Sequence, residues 1–439
     1  MKKRIPPLVV IVLSFALIIL IGMLLLKLPF AVNDGQYLRW VDSLFLATSA
    51  VCVTGLVPIP NIGETLSVFG KIILCLLVQI GGLGFVTIGV FVLTIIGAKI
   101  GLSERYLIKE ALNQNKATEL IKLVKSIVFT TLIIEAIGCV FNFMVFIQDF
   151  DFFKALGISI FHSVSSFNNA GFDILGSTSL ITYSDNVLLN ITTTSLIILG
   201  GIGFVVIRDV IEHRSFTKLS IHSKIVIKMT IGLIITGTLF LKLSEGDNIT
   251  WLQAYFQSVT ARTAGFSTIS YASVHSSTIL IMILLMFIGA SPCSTGGGIK
   301  TTTFYTMIKS ITSFAKGKKT IVYNRKISEE TKLKAFTLTV LAFMSALAVT
   351  LIILMLEKNN SLGITVENML FETVSAIATV GLSVGITPIL CPLSKILLCF
   401  LMFLGRLGPL TIIGLWKKNW AITVTEDQLD YIEEKIIIG

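Results

Sequence analysis

Apolar runs of membrane length recur along the chain at residues 8–28, 122–147, 224–243 and 333–356, and a second set follows at 66–97, 187–207, 276–310 and 393–415. The stretch LVVIVLSFALIILIGMLLL, Leu8–Leu26, carries no charge and approaches the ~20 residues that a spanning helix needs. It follows Lys2, Lys3 and Arg4, yet its 19 apolar residues exceed the roughly 7–15 of a signal peptide, and no A-x-A cleavage site follows, so it reads as a retained helix. Between each run of the first set and its follower lies a shorter run of about ten residues and then a glycine. A run of that length cannot span and reads as a re-entrant helix. The pattern predicts one unit, helix, re-entrant helix, extended strand, helix, used four times.

The glycines make the repeat explicit. They stand in SAVCVTGLV (Gly55), SVSSFNNAGFDIL (Gly171), SVTARTAGFSTI (Gly265) and SAIATVGLS (Gly381), separated by 116, 94 and 116 residues. Ten residues before each is an aromatic (Phe45, Phe161, Tyr255, Phe371), and one residue after each is Leu56, Phe172, Phe266 or Leu382. The expected fold is an all-α integral membrane protein of four pseudo-symmetric units, with eight transmembrane helices, four re-entrant pore helices and four extended strands. Unit boundaries fall at 1–98, 99–208, 209–318 and 319–439, the last including a C-terminal tail.

Non-helical backbone at membrane depth is tolerated only when buried in protein or lining a water-filled cavity. Four related strands, each following a pore helix, therefore meet around a central axis, where rings of carbonyl oxygens replace an ion's hydration shell. Glycine permits backbone conformations that a Cβ forbids, and pore-helix carboxyl ends add partial negative charge. The candidate strands are Val53–Thr54–Gly55, Asn169–Ala170–Gly171, Thr263–Ala264–Gly265 and Thr379–Val380–Gly381. They contain no carboxylate, which disfavours Mg²⁺ and Ca²⁺ and favours a monovalent cation. Asp173 follows its glycine and is placed at the outer mouth.

Composition supports the membrane reading: 54% of residues are hydrophobic and 14% charged, against roughly a quarter charged in soluble chains. The net charge of +10 comes from 35 Lys and Arg against 25 Asp and Glu. The bases are asymmetric: 25 lie in one set of alternating segments and eight in the other, while acids divide twelve and twelve. The positive-inside rule then puts both termini in the cytoplasm, and the basic excess is a topology signal rather than a nucleic-acid footprint. The six cysteines show no C-x-x-C spacing and the four histidines no metal-binding pair. No paired intramembrane aspartates and no G-x-S-G motif with a partner histidine appear, so an intramembrane enzyme is disfavoured.

Two features fall outside the repeat. The run from Ser276 to Ser310, 35 residues, would make a helix of about 52 Å, well beyond a ~30 Å hydrocarbon core. At its centre stand Gly289, Ser291, Pro292, Ser294, Thr295, Gly296, Gly297, Gly298 and Lys300, a segment in which the helix must break. It is not a nucleotide P-loop, because Ile299 separates the glycines from Lys300. Broken segments at membrane depth mark ion paths and gates. Arg406 stands in FLMFLGRLGPL, where GGLGF (81–85) and GGIGF (200–204) have no charge. A charge at that depth is a functional hypothesis by default, although satisfying carbonyls of the 289–298 loop is an alternative role. Glu135 is expected to pair between helices, and Arg262 with a pore-helix acid.

The four units, the single glycine per strand and the tail YIEEKIIIG resemble the Trk/Ktr/HKT potassium-uptake superfamily over the whole chain, and within it the membrane (pore) subunits of the Ktr system. The resemblance implies that the strands are a K⁺ selectivity filter related to the T-V-G-Y-G sequence of potassium channels. All four filter glycines are present here, whereas some Na⁺-favouring plant relatives carry serine at the first. It further implies that the 289–300 loop gates the pore under the filter and that Arg406 faces the conduction path. A homodimer seated on a cytosolic ring of nucleotide-binding RCK regulatory subunits is implied as well. A Na⁺-selective or Na⁺-coupled carrier of the same fold is the alternative.

Overall fold

The computed structural model describes residues 7–95, 120–176, 179–358 and 364–408. The C-terminal tail and most of the basic segment after residue 98 lie outside these. The helices, in chain order, are α1 (Pro7–Leu26), α2 (Trp40–Val51), α3 (Ile62–Thr65), α4 (Val68–Leu83), α5 (Phe85–Ile95), α6 (Leu120–Phe146), α7 (Phe152–Phe167), α8 (Val187–Ile202) and α9 (Phe204–His213). They continue as α10 (Ile221–Glu245), α11 (Trp251–Thr260), α12 (Ser276–Phe287), α13 (Thr301–Ala315), α14 (Glu329–Leu356), α15 (Val366–Ile377) and α16 (Pro392–Leu407). Two short antiparallel strands, β1 (Ile321–Val322) and β2 (Arg325–Lys326), form a hairpin between α13 and α14.

Polarity runs opposite to that of a soluble protein. The long helices α1, α6, α10 and α14 are each apolar and long enough to cross a membrane, and only 28–33% of their apolar windows is buried. Their outer faces, such as Leu13, Leu17 and Leu24 on α1 or Leu132, Ile133 and Val140 on α6, are exposed. Contiguous apolar surface of that kind has hydrocarbon as its solvent. The short helices α2, α7, α11 and α15 are instead buried, including their hydroxyls: Ser43, Thr48 and Ser49 on α2, Ser159, Ser163, Ser165 and Ser166 on α7. At 10–16 residues they are too short to span.

The second apolar set differs from the expectation of continuous spans. The break anticipated in the third copy is present, between α12 and α13. The first and second copies also break, between α4 and α5 at Gly84 (φ 82°) and between α8 and α9 at Gly203 (φ 98°). The latter pair is bent by 95°. Both glycines sit in left-handed backbone at the helix C-terminus, the usual place for a glycine stop. Among the described residues four helices therefore reach spanning length, or five if the bent α8–α9 pair is one span.

Chain ends of the repeat are stitched together by an ion pair. Lys395 near the start of α16 donates to Asp42 Oδ1 on α2 at 2.7 Å and to the Pro58 carbonyl at 3.2 Å, and both charged side chains are buried. Removing one partner of such a pair leaves an uncompensated buried charge, costing about 3–5 kcal/mol, whereas replacing both by apolar groups is often neutral. Lys395→Met is accordingly expected to lower the thermal unfolding temperature of detergent-solubilised protein markedly, and Lys395→Met with Asp42→Leu to recover most of the loss.

Candidate cation pathway

Each short helix runs directly into one of the four glycine strands, and its last turn holds the strand in place. The Val53 and Thr54 N–H groups donate to Ala50 O and Ser49 O at 3.1 and 2.8 Å. Asn169 and Ala170 repeat this with Ser166 O and Ser165 O at 3.1 and 2.8 Å, and Thr379 and Val380 with Ala376 O and Ser375 O at the same distances. The hydroxyls of Ser49 and Ser375 then accept from the N–H groups of Gly55 and Gly381, each at 3.0 Å. In the third copy α11 ends one residue earlier relative to its glycine, and Ala264 N donates to Thr260 O at 2.9 Å. Thr260 Oγ1 donates to Phe266 O as Ser165 Oγ does to Phe172 O, yet it lies one residue nearer its glycine; by the same one-residue shift Phe256, not Tyr255, is the fully buried aromatic there. Phe45, Phe161 and Phe371 are buried as the spacing suggests, as are Leu56, Phe172, Phe266 and Leu382.

The strands share an unusual backbone. Residues two before each glycine have positive φ (Val53 56°, Asn169 57°, Thr263 75°, Thr379 51°), and so do the glycines (Gly55 95°, Gly171 69°, Gly265 82°, Gly381 92°). Positive φ in a β-branched residue costs about 1–3 kcal/mol and persists only where the surroundings over-determine it. The four strands close into a ring. Where a Cβ would stand on Gly55, Gly171, Gly265 and Gly381, the structure has the carbonyl oxygens of Ala170, Ala264, Val380 and Thr54, respectively. A Cβ on Gly171 would lie 2.6 Å from Ala264 O and 2.9 Å from the Gly265 Cα, and one on Gly381 would lie 2.9 Å from the Gly55 Cα.

Most N–H groups of these strands are used on the helix side. Among the described residues, no carbonyl of the twelve strand residues accepts a hydrogen bond. A buried carbonyl without a donor is costly and calls for another partner. Above the ring all four glycines line one cavity of about 200 Å³, together with Asp173 and Ser383.

Below the ring lies the segment between α12 and α13. Gly289 N donates to Ile299 O at 2.9 Å and Ala290 N to Gly297 O at 3.2 Å, folding the loop back on itself. Ser294 Oγ donates to Ser291 O at 2.6 Å and Lys300 Nζ to Gly296 O at 2.7 Å. The loop is moored on the second copy, through Ser291 N to Gly201 O at 3.0 Å, Thr295 N to Gly200 O at 3.2 Å and Thr295 Oγ1 to Phe167 O at 3.1 Å. Pro292 places its carbonyl 2.5 Å from where a Gly203 Cβ would be. Gly296 and Gly297 press against the side chains of Thr263 and Thr379, and a Cβ on Gly298 would lie 3.1 Å from Ala378 O. Arg406 joins three copies: its guanidinium donates to Thr295 O in the loop and to Gly81 O and Gly82 O of α4, the last at 3.1 Å. Of the roles considered for this arginine, the structure shows that of satisfying carbonyls of the loop and of α4.

The profile of the family described as "TrkH: Cation transport protein" matches residues 8–235 and 225–419. The chain belongs to the TrkH family of cation transport proteins. It is 37% identical to the potassium/sodium uptake protein NtpJ of Enterococcus hirae, covering 100% of this chain and 98% of the relative. It is 38% identical to the Ktr system potassium uptake protein B of Bacillus subtilis, covering 95% and 94%. The crystal structure of the potassium transporter TrkH from Vibrio parahaemolyticus has the same fold, with a TM-score of 0.73 at 18% identity over 95% of this chain and 86% of that one. A TrkH-family chain is a membrane transporter, not an enzyme.

Polar residues behind the ring of this TrkH-family chain were only partly foreseen. Glu135 does connect helices: its carboxylate accepts from Gln79 Nε2 at 3.3 Å and Asn168 Nδ2 at 3.0 Å, and Ser163 Oγ donates to its carbonyl at 2.6 Å. Asn168 also donates to Gln79 Oε1 at 2.8 Å, and the Asn169 amide meets the Thr263 hydroxyl at 3.2 Å, so both asparagines tie neighbouring copies together. Among the described residues Arg262 forms no salt bridge with a pore-helix acid, and its Nε has no hydrogen-bond partner. The acid on α15, Glu372, turns to the loop after its own strand, accepting from Ser383 Oγ at 2.5 Å, Thr387 Oγ1 at 2.8 Å and Val384 N at 3.1 Å. Glu135→Leu would leave the buried Asn168 amide and the half-buried Gln79 amide without their carboxylate, at about 1–3 kcal/mol for the buried group. A lower unfolding temperature for this variant, with Glu135→Gln intermediate, is the expected readout.

Proposed function

We propose that this chain takes up K⁺ across the cell membrane through the ring of glycine strands. The observation that carries the reading is the closed ring of carbonyls that accept no hydrogen bond from the protein. Val53, Thr54 and Gly55, with Asn169, Ala170 and Gly171, Thr263, Ala264 and Gly265, and Thr379, Val380 and Gly381, supply oxygen to a dehydrated monovalent cation. Left-handed φ at alternate residues keeps successive carbonyls on one side of a strand, where an ordinary β-strand would alternate them. The relatives' names, potassium uptake in each case, agree with K⁺ as cargo.

Each of the four units, 1–98, 99–208, 209–318 and 319–439, contributes two spans to a total of eight, the second broken at a glycine in several. The termini lie in the cytoplasm with the basic segments. The 289–298 loop with Lys300 is the gate, and Arg406 holds it closed by clamping Thr295 O. The Ktr name of a relative denotes a system of more than one component, consistent with a homodimer on a cytosolic nucleotide-binding RCK partner acting on that gate. Na⁺-selective or Na⁺-coupled transport is the second reading, favoured by the name of the Enterococcus relative as a potassium/sodium uptake protein.

Cation uptake into proteoliposomes distinguishes the readings. Wild-type protein is expected to prefer K⁺ and Rb⁺ over Na⁺, and Gly171→Ser to reduce that preference roughly tenfold, about 1.4 kcal/mol, because a Cβ meets Ala264 O. Equal K⁺ and Na⁺ uptake, unchanged by this substitution, contradicts the filter assignment. Arg406→Ala removes the clamp and is expected to raise the transport rate severalfold while leaving insertion intact; an unaltered rate removes Arg406 from the gate.

A further inference from the structure

A groove of about 620 Å³ lies between α4 of the first copy and α7 of the second, away from the ring and its gate. Its floor is apolar, with Ile72, Ile158 and Phe161 among the lining residues, and its rim carries Lys71, Lys154 and Glu64. Lys71 stands in the first turn of α4 and Lys154 in the first turn of α7, so both mark one end of the bundle. Neither lysine forms a salt bridge among the described residues, although Glu64 lines the same groove. Lys154 Nζ lies 4.7 Å from the centre of the Phe150 ring. Beside the groove Val68 and Phe153 are 75% and 85% exposed, at the surface a bilayer would cover.

Two like charges facing one low-dielectric cavity repel each other and favour a shared anion. The rim bears a net charge of +1, complementary to a phosphodiester with an uncharged headgroup, and the apolar floor suits an acyl chain. Lysines near a bilayer surface attract anionic lipid in just this way. We propose that the groove binds one anionic glycerophospholipid of the phosphatidylglycerol type, its phosphate between Lys71 and Lys154 and one acyl chain along Ile72, Ile158 and Phe161.

This site reaches the transport machinery. Its wall includes Ile174, Leu175 and Gly176, which continue from the Gly171 strand, and Gly63 of the first copy, where a Cβ would stand 2.5 Å from Ile174 O. A lipid seated here steadies the segments that follow two of the four strands. The proposal itself rests on the membrane fold and the groove, not on the filter reading, so either can fail alone.

The test is native mass spectrometry of the full chain in detergent, titrated with phosphatidylglycerol and, separately, phosphatidylcholine of the same acyl composition. Phosphatidylglycerol is expected to bind more tightly. Lys71→Gln and Lys154→Gln should each weaken it about fivefold and together roughly 25-fold, with phosphatidylcholine unaffected and the double arginine variant retaining affinity. Any of four results overturns the proposal: equal affinity for the two lipids, full phosphatidylglycerol affinity in the double glutamine variant, displacement of the lipid by millimolar inorganic phosphate, or a dimer mass that the double glutamine variant loses irrespective of lipid, which would assign the groove to a second copy.

Discussion

The structure depends on one steric constraint: at four positions around a single axis there is no room for a Cβ. Each of Gly55, Gly171, Gly265 and Gly381 has a neighbouring strand's carbonyl oxygen where its side chain would begin. Left-handed φ at these glycines, repeated at Val53, Asn169, Thr263 and Thr379, is what lets four strands approach so closely. Strain at three β-branched residues is sustained because N–H groups of each strand are fixed by the helix that precedes it. Buried polar groups around it hold that ring: the Ser49 and Ser375 hydroxyls accept from strand glycines, and the Glu135 carboxylate holds Asn168 beside its strand.

This constraint accounts for the inverted polarity of the fold. Long apolar helices form the outside because hydrocarbon is their solvent, and short hydroxyl-rich helices fill the middle because the strands need donors and acceptors beside them. The same logic applies to the loop below the ring. The loop between α12 and α13 contains three consecutive glycines because two of them touch Thr263 and Thr379 directly and the third lies beside Gly289. Arg406 is tolerated at depth since three backbone carbonyls, from the loop and from α4, accept its protons.

Much of this was legible in the sequence, because symmetry turns a weak local signal into a strong one. One buried glycine means little, but four at spacings of 116, 94 and 116 residues with matching aromatics define a repeat. The proline and glycines of the 289–298 loop betray the break, since no continuous helix accommodates them. What the sequence hid falls into two kinds. The breaks at Gly84 and Gly203 carry no proline, and in GGLGF and GGIGF the two preceding glycines stay helical, so glycine alone does not announce the bend. Long-range partners, such as Lys395 with Asp42 or Gln79 with Glu135 and Asn168, depend on which copies are adjacent. The third copy is one residue shorter between Thr260 and Gly265 than the second is between Ser165 and Gly171, a change that alignment on the glycine cannot reveal.

The central claim is that the four strands coordinate a dehydrated monovalent cation with backbone carbonyls. Anomalous diffraction from protein crystallised with Rb⁺ or Tl⁺ tests it most directly. The account predicts anomalous density on the axis, ringed by the carbonyls of the four strands and reduced by competing K⁺ but not by Na⁺ at the same concentration. Density confined to the Asp173 mouth, or an axial peak displaced equally by Na⁺, would contradict it.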